Sequence, residues 1–417
     1  MHHFHYRDNH MFCEDVPVSE IAEDVGTPLY LYSHATLRHH FLTFQKAFDS
    51  VPHLICFSAK SNSNLAVLRL FGSLGGGLDV VSGGELFRGL QAGISPDRIV
   101  YSGVGKREDE IEYALQSGIM MFNIESFQEL EQINRCGTRL KKKAPIALRV
   151  NPDVDPKTHP YISTGLKKEK FGVGMESAAE VYKSAAAFAH VEVIGISCHI
   201  GSQVTEVSPF VDALHRVKEL ITALETFGIS ISYLDIGGGL GITYDRESPP
   251  HPNEYGRAIS KALGDSPFTL ILEPGRVIVG NAGILITRVL YTKDGESKDF
   301  VIVDAAMNDL VRPSLYNAYH AIEPVVRYQK EKIRVDVVGP ICESADFLAK
   351  DRHIPRVGAG DLLAVMSAGA YGFTMSSNYN SRPRVPEVMV KEDKFYVVRA
   401  RESYEDLIKG ESIPPFL

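Results

Sequence analysis

The sequence predicts an α/β chain carrying an added all-β part: a (β/α)8 barrel of the TIM type over residues 33–280, and a β-barrel or β-sandwich domain over residues 281–417 that the N-terminal residues 1–32 complete. Two observations predict it. Through the first two thirds, eight short apolar runs alternate with segments of helical period. After Gly280, apolar runs follow one another with only turn signals between them.

The eight runs are Leu54 to Ser58, Leu78 to Val81, Ile99 to Tyr101, Met120 to Ile124, Ile146 to Val150, Val193 to Cys198, Ile231 to Ile236 and Phe268 to Leu272. Unbroken and rich in β-branched residues, they read as parallel strands buried on both faces. Among the helices the clearest is Val207, Phe210, Val211, Leu214, Val217, Leu220, Ile221, Leu224 and Phe227, whose three- and four-residue steps fall on one face. Phe127, Leu130 and Ile133 repeat the pattern, as do Ile111, Ala114 and Leu115. In the last third the expected strands are Ile284 to Tyr291, Phe300 to Val303, Arg334 to Val338, Leu362 to Met366 and Phe395 to Arg399, with Pro28 to Tyr32 joining from the N-terminus.

A barrel of this kind builds its active site where the strands end. The groups following the runs are therefore the candidates: Lys60, Asp79 with Ser82 and Gly83, Ser102, Glu125, Asn151, His199 with Ser202, Gly237 to Gly239, and Glu273 with Arg276. A barrel serving only as scaffold has no need of so many.

Composition excludes several classes. A net charge of -8 over 417 residues argues against a nucleic-acid partner, and the basic runs Lys141 to Lys143 and Lys167, Lys168, Lys170 have no interleaved aromatics. No apolar run reaches the length of a membrane span, and no apolar signal core opens the chain. The five cysteines, Cys13, Cys56, Cys136, Cys198 and Cys342, lack the paired spacing of a zinc site and the density of a disulfide scaffold, which suits a reducing cytoplasm. His2, His3, His5 and His10 read as a mobile polar end or a vector remnant. No metal site is expected.

Lys60 after the first strand is either a nucleophile that forms a Schiff base or a cation paired with a carboxylate. Gly237-Gly238-Gly239-Leu240-Gly241 presents backbone N–H groups suited to a phosphate, or else makes a tight turn; Ile242 breaks the dinucleotide fingerprint. Glu273-Pro274-Gly275-Arg276 sets an acid beside a base. A phosphorylated pyridine cofactor uses both signs, with a carboxylate at the ring nitrogen and a lysine at the aldehyde. His199, before Gly201-Ser202, is placed to lie against such a ring, or is a satisfied structural histidine.

Together these blocks resemble the diaminopimelate decarboxylases, among the fold-type III pyridoxal-phosphate enzymes that include ornithine and arginine decarboxylases and, more distantly, alanine racemase. The resemblance runs from Asp15-Val16-Pro17 to the Tyr371 region. It rests on residues 57–62, Gly77 to Glu85, His199 to Gln203, Gly237 to Gly241, Glu273 to Arg276, Cys342-Glu343-Ser344-Ala345-Asp346 and Gly369-Ala370-Tyr371-Gly372. Ser61 departs from it, since relatives commonly carry alanine after the lysine. The resemblance implies pyridoxal 5'-phosphate bound covalently by Lys60, with His199 stacking on the ring and Asp79, Gly237, Gly238 and Gly275 lining the site. It implies Ser202, Gly239 and Tyr371 at the phosphate and Glu273 at the pyridine nitrogen. Arg276, Arg312 and Tyr316 then hold the retained substrate carboxylate, Glu343 the distal ammonium, and Cys342 returns the proton that replaces carbon dioxide. It also implies a homodimer in which Cys342 and Glu343 enter the partner's active site.

A thiol suits proton return because its ordinary pKa, about 8.5, lies near working pH. A structural reading makes Cys342 a buried small hydrophobe, but Glu343, Ser344 and Asp346 make its setting polar. Two arginines beside a glutamate match a substrate with a carboxylate and an ammonium at its far end, which favours diaminopimelate over ornithine or arginine. A carboxynorspermidine-type decarboxylase is the nearest alternative. A non-catalytic cofactor-binding regulator and a racemase are the others; Lys60 and the β domain argue against the first, and the Cys342-Glu343 block against the second.

Overall fold

The computed structural model describes residues 2–155, 170–296, 298–328 and 330–417. Lys167 and Lys168 of the second basic run lie outside the described residues. The chain divides into two compact units, one of Arg38–Thr243 and Glu247–Ile278, the other of Met1–Leu37, Tyr244–Arg246 and Val279–Leu417.

The first unit is a closed parallel barrel. Its strands are β1 His53–Ser58, β2 Gly77–Val80, β3 Ile99–Tyr101, β4 Met121–Ile124, β5 Ala144–Asn151, β6 Val191–Ser197, β7 Tyr233–Asp235 and β8 Thr269–Leu272. Each pairs in parallel with the next, and Leu270 to Leu272 of β8 pair with His53 to Ile55 of β1 to close the ring. Parallel strands need long crossovers, and the helices between the apolar runs supply them. Cys56, Val100, Met121, Ala147 and Ile271, from five strands, meet in a buried cluster. Val173–Gly174 extends the sheet beside the end of β5.

The helix expected around Leu214 spans Ser208–Glu225 and buries Phe210, Leu214, Val217, Leu220, Ile221 and Leu224. Phe227 breaks the expected pattern: it lies past the helix end and is 50% exposed, with the Lys183 ammonium 3.9 Å above its ring. Phe127 is likewise exposed, because it opens its helix beside the Ser126 cap, whereas Leu130 and Ile133 are buried. Asp79 and Asn151 lie within β2 and β5 instead of after them.

The second unit is a mixed sheet. Its backbone order is Phe347–Pro355, Lys332–Val338, Asp299–Val303, Gly283–Lys293, Leu29–Ser33, Glu387–Lys391 and Lys394–Arg399, with Leu362–Val365 also paired to Gly283–Lys293. Leu29–Ser33 lies between strands from the last third of the chain, antiparallel to one and parallel to the other.

The mobile polar end expected at residues 2–10 is instead an ordered hairpin. Phe4–Arg7 pairs antiparallel with His10–Cys13 across Asp8 and Asn9, whose φ values of 47° and 67° are left-handed. Two such residues match the twist of the flanking strands, and Asp and Asn tolerate the conformation. Phe4, Met11 and Cys13 enter the core with Ile21, Leu29, Leu31, Ile284 and Ile286, and this burial ties the end down. The buried Glu14 carboxylate then accepts from Ser33 Oγ at 2.8 Å, the Ala35 N–H at 2.8 Å and the Glu392 N–H at 2.7 Å.

Candidate active site

The ends of the barrel strands carry a buried polar layer. In register, Ser58 of β1 faces Asp79 of β2, while Arg149, Ser197 and Asp235 form one row across β5, β6 and β7. A side chain at an inward strand position loses water on folding, so it persists only where other polar groups satisfy it. Ser58 Oγ lies 2.9 Å from Asp79 Oδ2 and 2.9 Å from the Glu273 carbonyl oxygen. Lys60, in the tight turn Ala59–Ser61 that follows β1, brings its Nζ to 2.7 Å from Asp79 Oδ2. The Lys60 side chain is 37% exposed and the Asp79 side chain 0%, so the ammonium sits at the mouth of the layer with its counter-ion beneath.

Deeper in, Asn123 Nδ2 reaches Asp235 Oδ2 at 2.8 Å, Ser102 Oγ at 3.0 Å and Glu273 Oε1 at 3.2 Å. The Gly237 N–H donates to the other Asp235 oxygen at 2.8 Å. Burial, then the Asp235 and Asp79 charges, push the Glu273 carboxyl well above its ordinary range, against the pull of the Lys60 ammonium. Burial also raises Asp235, and the pair retains protons that free carboxyls would lose. Asp79 Oδ1, Asn123 Oδ1 and Ser197 Oγ are buried without a hydrogen-bond partner among the described residues. Three acids against the Lys60 ammonium, with polar atoms to spare, suit a bound group that brings positive charge and donors.

His199 follows β6 and is held neutral. Burial lowers its pKa well below 6.5, and Arg149 and Lys60 lower it further. Its Nδ1 accepts from the Gly238 N–H at 3.1 Å, which leaves the ring proton on Nε2. Two N–H groups of the glycine run are thus used inside the protein, by Asp235 and His199, instead of standing bare as the sequence suggests. Among the described residues no protein acceptor takes the Gly239 N–H. Close approach also requires the glycines: a Cβ on Gly238 would lie 2.1 Å from the Glu273 carbonyl oxygen, and Gly239, at φ +114°, would meet the Gly201 carbonyl at 2.3 Å. Arg276, buried, donates through Nη2 to Ser202 Oγ at 3.1 Å, and Gly275 packs against Ser58 and Ser61.

Glu125 has a structural occupation. Its Oε1 pairs with Arg149 Nη1 at 2.8 Å and takes the Gly103 N–H at 3.2 Å, and its Oε2 takes the Gly172 N–H at 2.8 Å. Asp235, Asn123, Ser58, Arg149 and Ser197 were not singled out from the sequence. Their signal is a polar residue inside an otherwise apolar run, which reads as noise until the strands close into a ring.

The other predicted residues belong to the β unit. Arg312 opens the short helix Arg312–Tyr316, which places Tyr316 on its face four residues on. The Arg312 guanidinium lies 4.9 Å from the Tyr244 ring centre, and its Nε donates to His320 Nε2 at 3.3 Å. The second His320 nitrogen is 2.8 Å from the Met366 carbonyl oxygen, which fixes the neutral tautomer and orients Arg312. Cys342 and Glu343 are exposed neighbours on one loop, and Cys342 is a free thiol. Tyr371, half-buried, adopts φ 55°.

A parallel barrel whose strand-end lysine rests on a buried acid, beside two buried carboxyls raised above their ordinary range and a histidine lowered below its own, is the architecture of a pyridoxal-phosphate enzyme. Residues 34–280 match the family model of the pyridoxal-binding domain of pyridoxal-dependent decarboxylases. The chain is 52% identical over 412 residues to a diaminopimelate decarboxylase of Pseudomonas aeruginosa, covering 99% of each chain. It is 52% identical over 417 residues to one of Vibrio cholerae, with 100% of each covered. Among solved structures, the diaminopimelate decarboxylase of M. jannaschii matches with a TM-score of 0.95 and 38% identity over 100% of this chain and 99% of that one. The Helicobacter pylori enzyme, solved with L-lysine, matches with a TM-score of 0.91 and 45% identity over 94% and 98%. The chain belongs to the diaminopimelate decarboxylase family, pyridoxal-phosphate enzymes whose reaction yields lysine. A lysine/ornithine decarboxylase of Vibrio vulnificus, at 22% identity and a TM-score of 0.80, shares the fold alone.

Proposed function

We propose that this chain removes carbon dioxide from meso-2,6-diaminopimelate to give L-lysine, with Lys60 as the covalent anchor of pyridoxal 5'-phosphate. The observation that carries the reading is the Lys60 ammonium 2.7 Å from the buried Asp79, above the Asp235 and Glu273 carboxyls. The residues fit that cofactor. Lys60 meets an aldehyde, the Glu273 carboxyl a protonated ring nitrogen, and Ser202, the Gly239 N–H and Arg276 a phosphate.

When bound, the cofactor supplies an electron sink for the charge left on the substrate carbon as carbon dioxide departs. Asp79 orients Lys60 through the 2.7 Å contact to its Nζ. Glu273, raised by burial and by the Asp235 and Asp79 charges, would face the ring nitrogen and favour its protonated form. Neutral His199 offers a flat ring face without adding positive charge, and the Gly238 N–H holds its tautomer. Arg276, Arg312 and Tyr316 bind the carboxylate that is retained, Glu343 binds the distal ammonium, and Tyr371 assists at the phosphate. Cys342 donates the proton to the substrate carbon; its exposed thiol, free of any disulfide, supports that role.

The working form is a homodimer in which Cys342 and Glu343 of one subunit serve the Lys60 site of the other. No helix among the described residues is long and apolar enough to cross a membrane. With five free cysteines, the reading places the enzyme in a reducing cytoplasm.

Borohydride reduction followed by peptide mapping tests the anchor, and the expected product carries the cofactor on Lys60. Carbon dioxide release from meso-diaminopimelate, L-lysine, L-ornithine and L-arginine tests the substrate. For the dimer, Lys60→Ala and Cys342→Ala are co-expressed with different tags. With random exchange, half of the dimers are mixed and half of their sites intact, so activity recovers to roughly a quarter of wild type. A stable hybrid no more active than its parents removes the shared site.

A further inference from the structure

The loop bearing Cys342 and Glu343 is held at two levels. At its base the buried Asp346 carboxylate takes the Met307 N–H at 2.7 Å and the Ile341 N–H at 2.7 Å. Its tip is gripped by the neighbouring turn Tyr379–Ser381. There the Cys342 N–H donates to Asn380 Oδ1 at 2.9 Å, and the Tyr379 hydroxyl donates to Glu343 Oε2 at 2.7 Å.

The gripping turn is itself anchored. The Ser377 N–H donates to the Asn308 carbonyl at 2.9 Å, Asn378 Nδ2 to Glu402 Oε2 at 2.7 Å, and Arg382 Nη2 to the Asp304 carbonyl at 3.0 Å. Asn380 and Ser381 adopt left-handed φ values of 55° and 53°, a conformation Asn tolerates better than most residues. Left-handed backbone at two successive residues is costly on an exposed surface unless the geometry it produces is used. Here it turns the Asn380 amide back onto the Cys342 backbone.

We propose that Tyr379 and Asn380 are positioning residues of the reaction: Asn380 sets the Cys342 thiol through its backbone N–H, and Tyr379 sets the Glu343 carboxylate. The inference rests on the roles proposed above for Cys342 and Glu343. The two grips act on different quantities. A misplaced proton donor slows the chemical step, since displacement by about 1 Å costs up to about a hundredfold in rate. A misdirected Glu343 weakens the hold on the substrate's distal ammonium and raises KM.

Asn380→Gly keeps the left-handed backbone and deletes the acceptor; Asn380→Asp keeps both. Asn380→Gly is expected to lower kcat about tenfold or more with KM nearly constant, and to raise deuterium uptake of the peptide covering residues 339–346. Asn380→Asp is expected to recover the protection and most of kcat. Tyr379→Phe is expected to raise KM for meso-diaminopimelate several-fold with a smaller change in kcat, through loss of one charge-assisted hydrogen bond. Cys342→Ala, assayed in parallel, separates the two levels. If Cys342→Ala is inactive while Asn380→Gly and Tyr379→Phe match wild type in uptake, kcat and KM, the positioning role is overturned and the role of Cys342 stands. Full turnover by Cys342→Ala overturns both.

Discussion

Replacing Glu125 with glutamine is expected to destabilise the barrel by several kcal/mol although the change removes no atom of bulk. The Arg149 side chain is 10% exposed and Glu125 2%, with the charges 2.8 Å apart. Two unit charges at that separation attract by about 6 kcal/mol at an effective dielectric constant of about 20. Both ions give up hydration to be there, and breaking such a pair from one side costs about 3–5 kcal/mol because a buried charge is left behind. Glutamine adds a second fault. Only one of its two terminal atoms accepts, so either the Gly103 or the Gly172 N–H faces an amide donor. Equilibrium urea unfolding of Glu125→Gln, Arg149→Met and the double variant, followed by circular dichroism, measures the terms. The expected result is a loss of at least about 3 kcal/mol for Glu125→Gln and a coupling of about 2 kcal/mol between the sites, because the double variant no longer buries an unpaired cation. A coupling below about 0.5 kcal/mol would refute the reasoning, since additive losses mean independent sites.

The acidic layer gives the cofactor-free protein a pH dependence of defined sign. The Glu273 and Asp235 carboxyls are raised in the fold, Asp235 to about 6, so their contribution is complete below the unfolded pKa of about 4 and is lost as pH rises through the folded value. His199 is lowered and acts oppositely: its contribution is complete above about pH 6.5 and is lost as pH falls. Asp235→Asn should therefore show a smaller fall in urea midpoint between pH 4 and pH 7 than wild type, and parallel profiles would count against the shared-proton pair. Gly238→Ala places a Cβ 2.1 Å from the Glu273 carbonyl oxygen. The expected cost is about 1–3 kcal/mol of stability together with weaker cofactor binding by equilibrium dialysis, and an unchanged affinity would show that the loop does not position Glu273. Glu343→Gln should cut kcat/KM for meso-diaminopimelate by a factor corresponding to about 2–4 kcal/mol and leave cofactor affinity intact; equal losses in both would remove Glu343 from the substrate end.

The eight barrel strands were legible because each is buried on both faces and so is an unbroken apolar run, bounded to within about two residues by what water allows. Lys60, His199 and Glu273 stood out for the converse reason, as polar groups at the points where those runs stop. Local chemistry also wrote the N-terminal hairpin, in Asp8-Asn9 between Phe4-His5-Tyr6 and Met11-Phe12-Cys13, but a crowd of histidines obscured that signal. Other features exist only across the ring. Asn123, Arg149, Ser197 and Asp235 sit inside strands, where one polar residue in an apolar run carries no meaning until strands far apart in sequence are in register. The use of the Gly237 and Gly238 N–H groups by Asp235 and His199 has the same origin, as does the grip of Tyr379 and Asn380 on the Cys342 loop. The sequence by itself determined which segments leave water and which reactive residue types stand at their ends, because hydrophobicity and chemical type belong to each residue separately. Tertiary structure alone decided which acids share protons, which donors are already spent and which loop holds another, because hydrogen bonds and charge interactions depend on distances of about 3 Å between residues that the chain keeps far apart.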